Sequence, residues 1–233
     1  MLNPLQKVHL ARLAYEPKRA VIGNTLNKTF GVGNVEFIYV ARTDTEGFAF
    51  RTGHTCTIVF AGTNSIRDLW RDLCFLPMPY YGGYIHSGFG AVKDQIRHPL
   101  RSAVEALFPP ELPGPREFVL LGHSLGASTV LLAADILHES FGHDIPKRIT
   151  TFGCPNGWSR GARKGFVKRH PDITHYINPG DYVTWLMGIM SGRPGEKGKK
   201  KLAGSWGHRM DKYIKNIEYK NGGKILQKAH KTA

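Results

Sequence analysis

Residues Glu117–Phe141 read EFVLLGHSLGASTVLLAADILHESF. A short apolar run, Phe118 to Leu121, leads into Gly122-His123-Ser124-Leu125-Gly126, and a long segment rich in Ala and Leu follows with no helix breaker. The first part has the character of a buried strand and the last that of a helix, so G-x-S-x-G stands at a strand-to-helix junction. A chain that turns so sharply leaves its serine at a strained backbone position, and small residues two before and two after it prevent a clash. Gly122 and Gly126 meet that need. The same turn sets Ser124 beside a helix N-terminus, where unpaired N–H groups and the helix dipole favour the negative charge that develops on an attacked carbonyl oxygen. Ser124 is therefore the candidate nucleophile.

Outward from the elbow, the downstream order is strand (RITTFG), helix (GARKGFVKR) and strand (ITHYIN). Such alternation implies a mainly parallel sheet with helices on both faces, an α/β class. Upstream, Val35–Val40, Gly47–Arg51 and Thr55–Phe60 are rich in β-branched and aromatic residues and separated by turn-like segments, which predicts consecutive strands. Asn3-Pro4 predicts the start of a terminal helix running towards Pro17, and Gly88–Phe108 a long helix broken or ended near Pro99. Ile217–Leu226, with Asn221-Gly222-Gly223 between two apolar runs, predicts a closing hairpin. With 233 residues, 41% of them hydrophobic, the chain has enough material for one substantial core, and residues 1–233 are expected to form a single domain.

A serine hydroxyl is a poor nucleophile until a base takes its proton, and the base needs an acid to orient it. In hydrolases of this topology acid and base follow the serine in chain order. Asp135 lies on the helix that starts at the elbow, roughly 16 Å along it at 1.5 Å per residue, too far to serve. Asp181 follows a strand through Pro179-Gly180, which puts it at the carboxyl edge of the sheet where α/β sites form, whereas Asp172 precedes that strand. Among histidines after Asp181, His208 sits in a glycine-bracketed loop before a helix and His230 in a polar tail; His208 is preferred. One oxyanion donor is expected from the Leu125 amide. The other falls to Thr63, in the turn Ala61-Gly62-Thr63-Asn64-Ser65, where Gly62 lets the backbone approach the site.

Six segments then occur in a telling order: Ile58-Val59-Phe60-Ala61-Gly62-Thr63, Ile66 to Leu73, Ile85-His86-Ser87-Gly88-Phe89, Gly122 to Gly126, Thr151 to Pro155, and Asn178 to Val183. Over roughly residues 55 to 215 the chain resembles the class 3 lipases, the fungal triacylglycerol lipase-like family. That resemblance implies an α/β-hydrolase fold, Ser124, Asp181 and His208 as triad, and Thr63 with Leu125 as oxyanion hole. It assigns His86 a bracing role at the oxyanion loop. Ala61 stands where the family usually has Arg, Ala127 replaces a second Gly, and Pro155-Asn156-Gly157-Trp158 replaces the usual Pro-Arg-Val-Gly.

The resemblance further implies a carboxylic ester hydrolase for triacylglycerol or phospholipid that works through an acyl-enzyme, without cofactor or metal. Two other readings remain at this point: an esterase for small soluble esters, and a non-catalytic basic module that binds membrane or nucleic acid. The intact nucleophile, acid, base and oxyanion turn argue against the last, so no nucleic-acid partner is expected. In the family a short helix after the oxyanion turn acts as a lid. Here Ile66, Leu69, Trp70 and Leu73 share one face of such a helix, which serves either as a lid or as a fixed helix packed on the core. Trp185, Leu186 and Met187 belong to a second apolar stretch followed at once by the basic run Arg193–Lys201.

A formal net charge of +14 attracts anionic partners, and apolar residues flanked by lysines suit peripheral contact with an anionic membrane. Arg193–Lys201 and Arg160–Arg169 are expected as exposed loop and helix faces. The N-terminus carries no signal-peptide pattern and no stretch reaches membrane-span length, so the cellular destination stays open between the cytoplasm and export without a classical signal. Cys56, Cys74 and Cys154, an odd set without C-x-x-C spacing, predict buried thiols rather than disulfides or a zinc site.

Overall fold

The computed structural model describes residues 1–62, 76–185, 192–195 and 198–229, with the backbone alone for 185 and 222–229. Its centre is a seven-stranded sheet built from β1 (Val35–Val40), β2 (Thr45–Thr52), β3 (Thr55–Phe60), β6 (Glu117–His123), β7 (Lys147–Phe152), β8 (Ile173–Ile177) and β9 (Lys199–Lys201), in that spatial order. β1 to β3 form an antiparallel meander, and every pairing from β3 to β9 is parallel. A separate two-stranded hairpin joins β4 (Pro77–Tyr80) to β5 (Gly83–His86).

Both faces of the sheet are covered, which explains why its central strands are apolar on successive residues. On one face Cys56, Ile58, Phe60, Phe118, Leu120 and Ile149 pack against α3 (Ser87–Leu107), α4 (Leu125–Phe141) and α5 (Arg160–Arg169). On the other, Val59, Val119 and Leu121 meet Leu10 and Ala14 of the first helical layer and Ile22 and Leu26 of α2 (Arg19–Phe30). α1 (Pro4–Leu13) opens as its sequence predicts. Asn3 Oδ1 accepts the Gln6 N–H at 2.8 Å, Gln6 Oε1 accepts the Asn3 N–H at 2.9 Å, and Pro4 occupies the first turn. Cys56 and Cys154 are buried free thiols.

Three expectations are corrected. α3 is not ended by Pro99: Ile96, Leu100, Ala103, Val104 and Leu107 are all buried on one stripe, and their packing outweighs the backbone hydrogen bond the proline removes. Residues 217–226 form no hairpin. α6 (Met210–Ala229) runs through Asn221-Gly222-Gly223, because Met210, Tyr213 and Ile217 recur at helical spacing and dock against Val8 and Ala11 of α1. The run Arg193–Lys201 is not wholly exposed loop: Arg193 is buried, with its guanidinium donating to the carbonyls of Cys154 and Thr184, and Lys199–Lys201 pair with β8 as an exposed edge strand. A lysine-bearing strand at the sheet margin discourages further strand pairing.

Candidate active site

Ser124, Gly62, Gly153 and Asp181 all lie just past the carboxyl ends of neighbouring strands, β6, β3, β7 and β8. Ser124 has φ 56° and ψ −125°, a conformation rare for a side-chain-bearing residue, and α4 begins at the next position. Its N–H donates to the Phe152 carbonyl at 3.0 Å, which ties the elbow to β7. A methyl on Gly122 would strike the Gly126 carbonyl, and one on Gly126 would strike the carbonyls of Phe60 and Ala61. Both glycines are thus demanded by close backbone approach. Gly62 lies equally near: a Cβ there would stand 2.7 Å from Ser124 Cβ. The end of β3 is therefore pressed against Ser124, and Leu125 as first residue of α4 has an N–H without an intrahelical acceptor.

Asp181 and His208 meet directly. His208 Nδ1 is 2.9 Å from both carboxylate oxygens of Asp181. Asp181 Oδ2 also accepts the Tyr213 O–H at 2.5 Å and Oδ1 the Val183 N–H at 3.1 Å. Burial pushes the Asp181 carboxyl up. The hydrogen bond and charge of His208, with the Tyr213 hydroxyl, outweigh it and hold the group below the usual carboxylate range. Tyr213 is driven well above the ordinary phenol range by burial and by the Asp181 charge, so it remains a donor. A carboxylate on Nδ1 fixes the proton there and leaves Nε2 as the lone-pair nitrogen. Nε2 is buried and, among the described residues, has no hydrogen-bond partner, Ser124 Oγ included.

The base loop is held over the elbow by several contacts. The His208 ring stacks on that of His123, the neighbour of Ser124, with centroids 4.6 Å apart. Asn178 Nδ2 donates to the Gly207 carbonyl, and the Asn216 amide donates both to Asn178 Oδ1 and to the Ser205 carbonyl, so the acid loop, base loop and α6 form one unit. Trp206 lies against Gly180, at φ +61°. Gly153, at φ +60°, forms the floor: a Cβ there would be 2.7 Å from Asp181 Oδ2 and 2.8 Å from His208 Cε1.

The structure thus brings together Ser124, Leu125, Asp181 and His208. Thr63, Ile66, Leu69, Trp70, Leu186 and Met187 lie outside the described residues, as does the Trp185 side chain. His86 is buried and caps α3, its Nδ1 accepting the Gly88 N–H at 3.1 Å. Asp135, set aside from its spacing alone, is engaged elsewhere, with Arg169, His170 and Tyr80. Residue reading did not find Tyr213, Asn178, Asn216, Tyr15 or His123. His123 alone had a local signal, its place beside the nucleophile. Among the described residues no group of three or more His, Cys, Asp or Glu side chains is arranged to hold a metal ion.

Comparison with known proteins bears on the fold and the family. A family model described as lipase (class 3) matches residues 57–190, more than half of the chain. A lipase of Rhizomucor miehei is 36% identical over 103 residues, 43% of this chain and 26% of that protein. A lipase of Rhizopus niveus is 30% identical over 139 residues, 58% of this chain and 33% of that protein. The chain thus matches about a quarter to a third of the length of these curated relatives. Among solved structures, the Rhizomucor miehei triacylglyceride lipase superposes with a TM-score of 0.60 at 24% identity, covering 78% of this chain and 72% of that one. A triacylglycerol lipase from Penicillium expansum gives 0.58 at 19% identity, covering 88% and 82%. These likenesses show the α/β-hydrolase fold, and with the family match over more than half of the chain, the elbow included, the chain belongs to the class 3 lipase family.

Proposed function

We propose that this chain is a carboxylic ester hydrolase for lipid esters, with Ser124 as nucleophile, His208 as base and Asp181 as the acid that orients it. The observation that carries the reading is the Asp181–His208 pair at 2.9 Å, with Nε2 unpaired among the described residues and the base loop stacked over the residue beside a strained serine. In the reaction Nε2 takes the Ser124 proton as Oγ attacks the ester carbonyl, and the imidazolium then protonates the leaving alcohol. Water, deprotonated in turn by His208, releases the acid from the acyl-enzyme. The Leu125 amide, with Thr63 as the second donor that the family resemblance implies, receives the oxyanion.

Lipid as the substrate class is supported by family membership and by the rim of the site. Tyr182, adjoining Asp181, is 64% exposed, and Trp206, two residues before His208, is 74% exposed. Large aromatic rings left in water beside a reactive centre suit a lipid–water boundary, and the exposed Lys199–Lys201 edge suits anionic headgroups there. Labelling of Ser124 by a fluorophosphonate tests the chemistry. Turnover of p-nitrophenyl butyrate should fall on the order of 10³-fold or more in Ser124→Ala; an unlabelled wild type, or an active alanine variant, sinks the reading. Anionic vesicles should raise hydrolysis of an insoluble ester, and Lys199, Lys200 and Lys201 changed together to Gln should lose that response.

A further inference from the structure

Tyr15 follows α1, far from the elbow in sequence, yet its hydroxyl accepts the Gly62 N–H at 2.9 Å and lies 2.5 Å from His123 Nδ1. On the other side of that ring, His123 Nε2 is 2.7 Å from the carbonyl oxygen of His208. A carbonyl oxygen only accepts, so Nε2 carries a proton. Burial, with the charge of His208 beside it, drives the His123 pKa down to about 3, so the ring is neutral and Nδ1 is a bare acceptor. One arrangement then satisfies every group: Gly62 N–H to the Tyr15 oxygen, Tyr15 O–H to Nδ1, and Nε2–H to the His208 carbonyl. The chain of bonds begins at the oxyanion turn, passes through the residue beside the nucleophile and ends on the backbone that carries the base.

We infer that Tyr15 is a positioning residue for the hydrolysis proposed above: acting through His123, it holds the His208 backbone and the Gly62 backbone in register with Ser124. This rests on that reading of the site. The preceding helix, α1, does not need the hydroxyl to stay in place. Asn3 caps it, and Val8, Leu10, Ala11 and Ala14 bury its inner face. The Tyr15 ring packs edge-on to His123 at 5.8 Å, a contact that phenylalanine keeps. Tyr15→Phe therefore removes one hydroxyl and leaves Gly62 N–H and Nδ1 without their partner, while hydrophobic anchoring persists.

The experiment compares wild type, Tyr15→Phe, His123→Asn, His123→Gln and the Tyr15→Phe/His123→Asn double variant, with p-nitrophenyl butyrate kinetics, fluorophosphonate labelling rates and thermal melts. Tyr15→Phe should lower kcat and the labelling rate about tenfold or more, with KM within about twofold, while the protein remains folded at the assay temperature. His123→Gln places an amide donor towards the His208 carbonyl and should retain more activity than the shorter Asn. The double variant should fall no further than the worse single one, because both break the same chain of bonds. Tyr15→Phe with unchanged kcat, a loss matching only the fraction unfolded, or additive losses in the double variant would each overturn the inference. A wild type inert to both ester and fluorophosphonate would instead overturn the functional reading beneath it.

Discussion

At the scale of single residues, the site depends on positions where a side chain is forbidden as much as on those where one reacts. Gly153 has a left-handed φ of +60°, and the space its Cβ would fill is taken by Asp181 Oδ2 and His208 Cε1 and Nδ1, all within 2.9 Å. Gly153→Ala should therefore displace the acid–base pair. A loss of about 10²-fold in kcat is expected from a misplacement near 1 Å, with about 1–2 kcal/mol of stability lost to the left-handed backbone. Ester kinetics and urea unfolding on the same preparation check both, and a variant with wild-type kcat would contradict the packing described. Ser124 itself bears strain of about 1–3 kcal/mol, which the anchoring of its N–H on Phe152 and the close approach of Gly62, Gly122 and Gly126 hold in place. The nucleophile and its glycines were legible in the sequence because a fixed spacing encodes a local backbone conformation. Gly153 as a floor was not, since its neighbours come from residues 181 and 208.

At the scale of elements, the second carboxylate of interest organises packing rather than chemistry. Asp135 on α4 is buried and accepts from Arg169 Nε at 2.8 Å, Arg169 Nη2 at 2.9 Å and the Tyr80 hydroxyl at 2.5 Å, with His170 Nε2 at 2.8 Å. It thereby joins the β4–β5 hairpin, α4 and the end of α5. Burial pushes its carboxyl up, but the bonds from His170, Arg169 and Tyr80 bring the pKa down to about 2. Asp135→Ala leaves the part-buried Arg169 guanidinium and the buried Tyr80 hydroxyl without their acceptor, and a loss of about 1–3 kcal/mol is expected. Denaturant unfolding should show that loss, whereas kcat of the folded fraction should stay near wild type; a selective collapse of kcat would make Asp135 part of the chemistry. α6 carries a further lesson at this scale. Asn221-Gly222-Gly223 has local turn character, yet Met210, Tyr213 and Ile217 bury one helical stripe against α1, and tertiary packing decides the conformation.

At the scale of the whole molecule, several histidines are buried in the neutral form, and this sets an acid limit. Burial is the first cause in each: His123 is lowered to about 3, His175 to about 4, and His170 is lowered as well. In the unfolded chain these side chains take protons near pH 6.5, before the folded state does, so the unfolded state binds more protons as the pH falls. Their contribution to stability is present in full above about pH 6.5 and is lost progressively towards pH 3–4. Asp135 and Asp181, lowered as carboxylates, add a loss of the same sign below about pH 4. Urea midpoints measured from pH 7.5 to 4.5 should therefore hold level down to about pH 6.5 and decline below it. His175, whose ring bonds Thr151 and the Pro194 carbonyl, should account for part of the slope, and an unchanged midpoint across that range would refute the assignment of neutral buried rings.

The sequence by itself determined whatever is written in local patterns. These are the strand-to-helix elbow around Ser124, the alternation that makes the sheet mainly parallel, and the Asn3 cap. Those follow from short-range sterics and hydrophobic periodicity, which neighbouring residues suffice to impose. Only the tertiary structure decided that α6 continues through two glycines, that Arg193 is buried, and that Tyr15 and Tyr213 reach into the site from the two chain ends. Each of those rests on contacts between residues distant in sequence, where the free energy of burial and of satisfying a buried polar group exceeds any local preference.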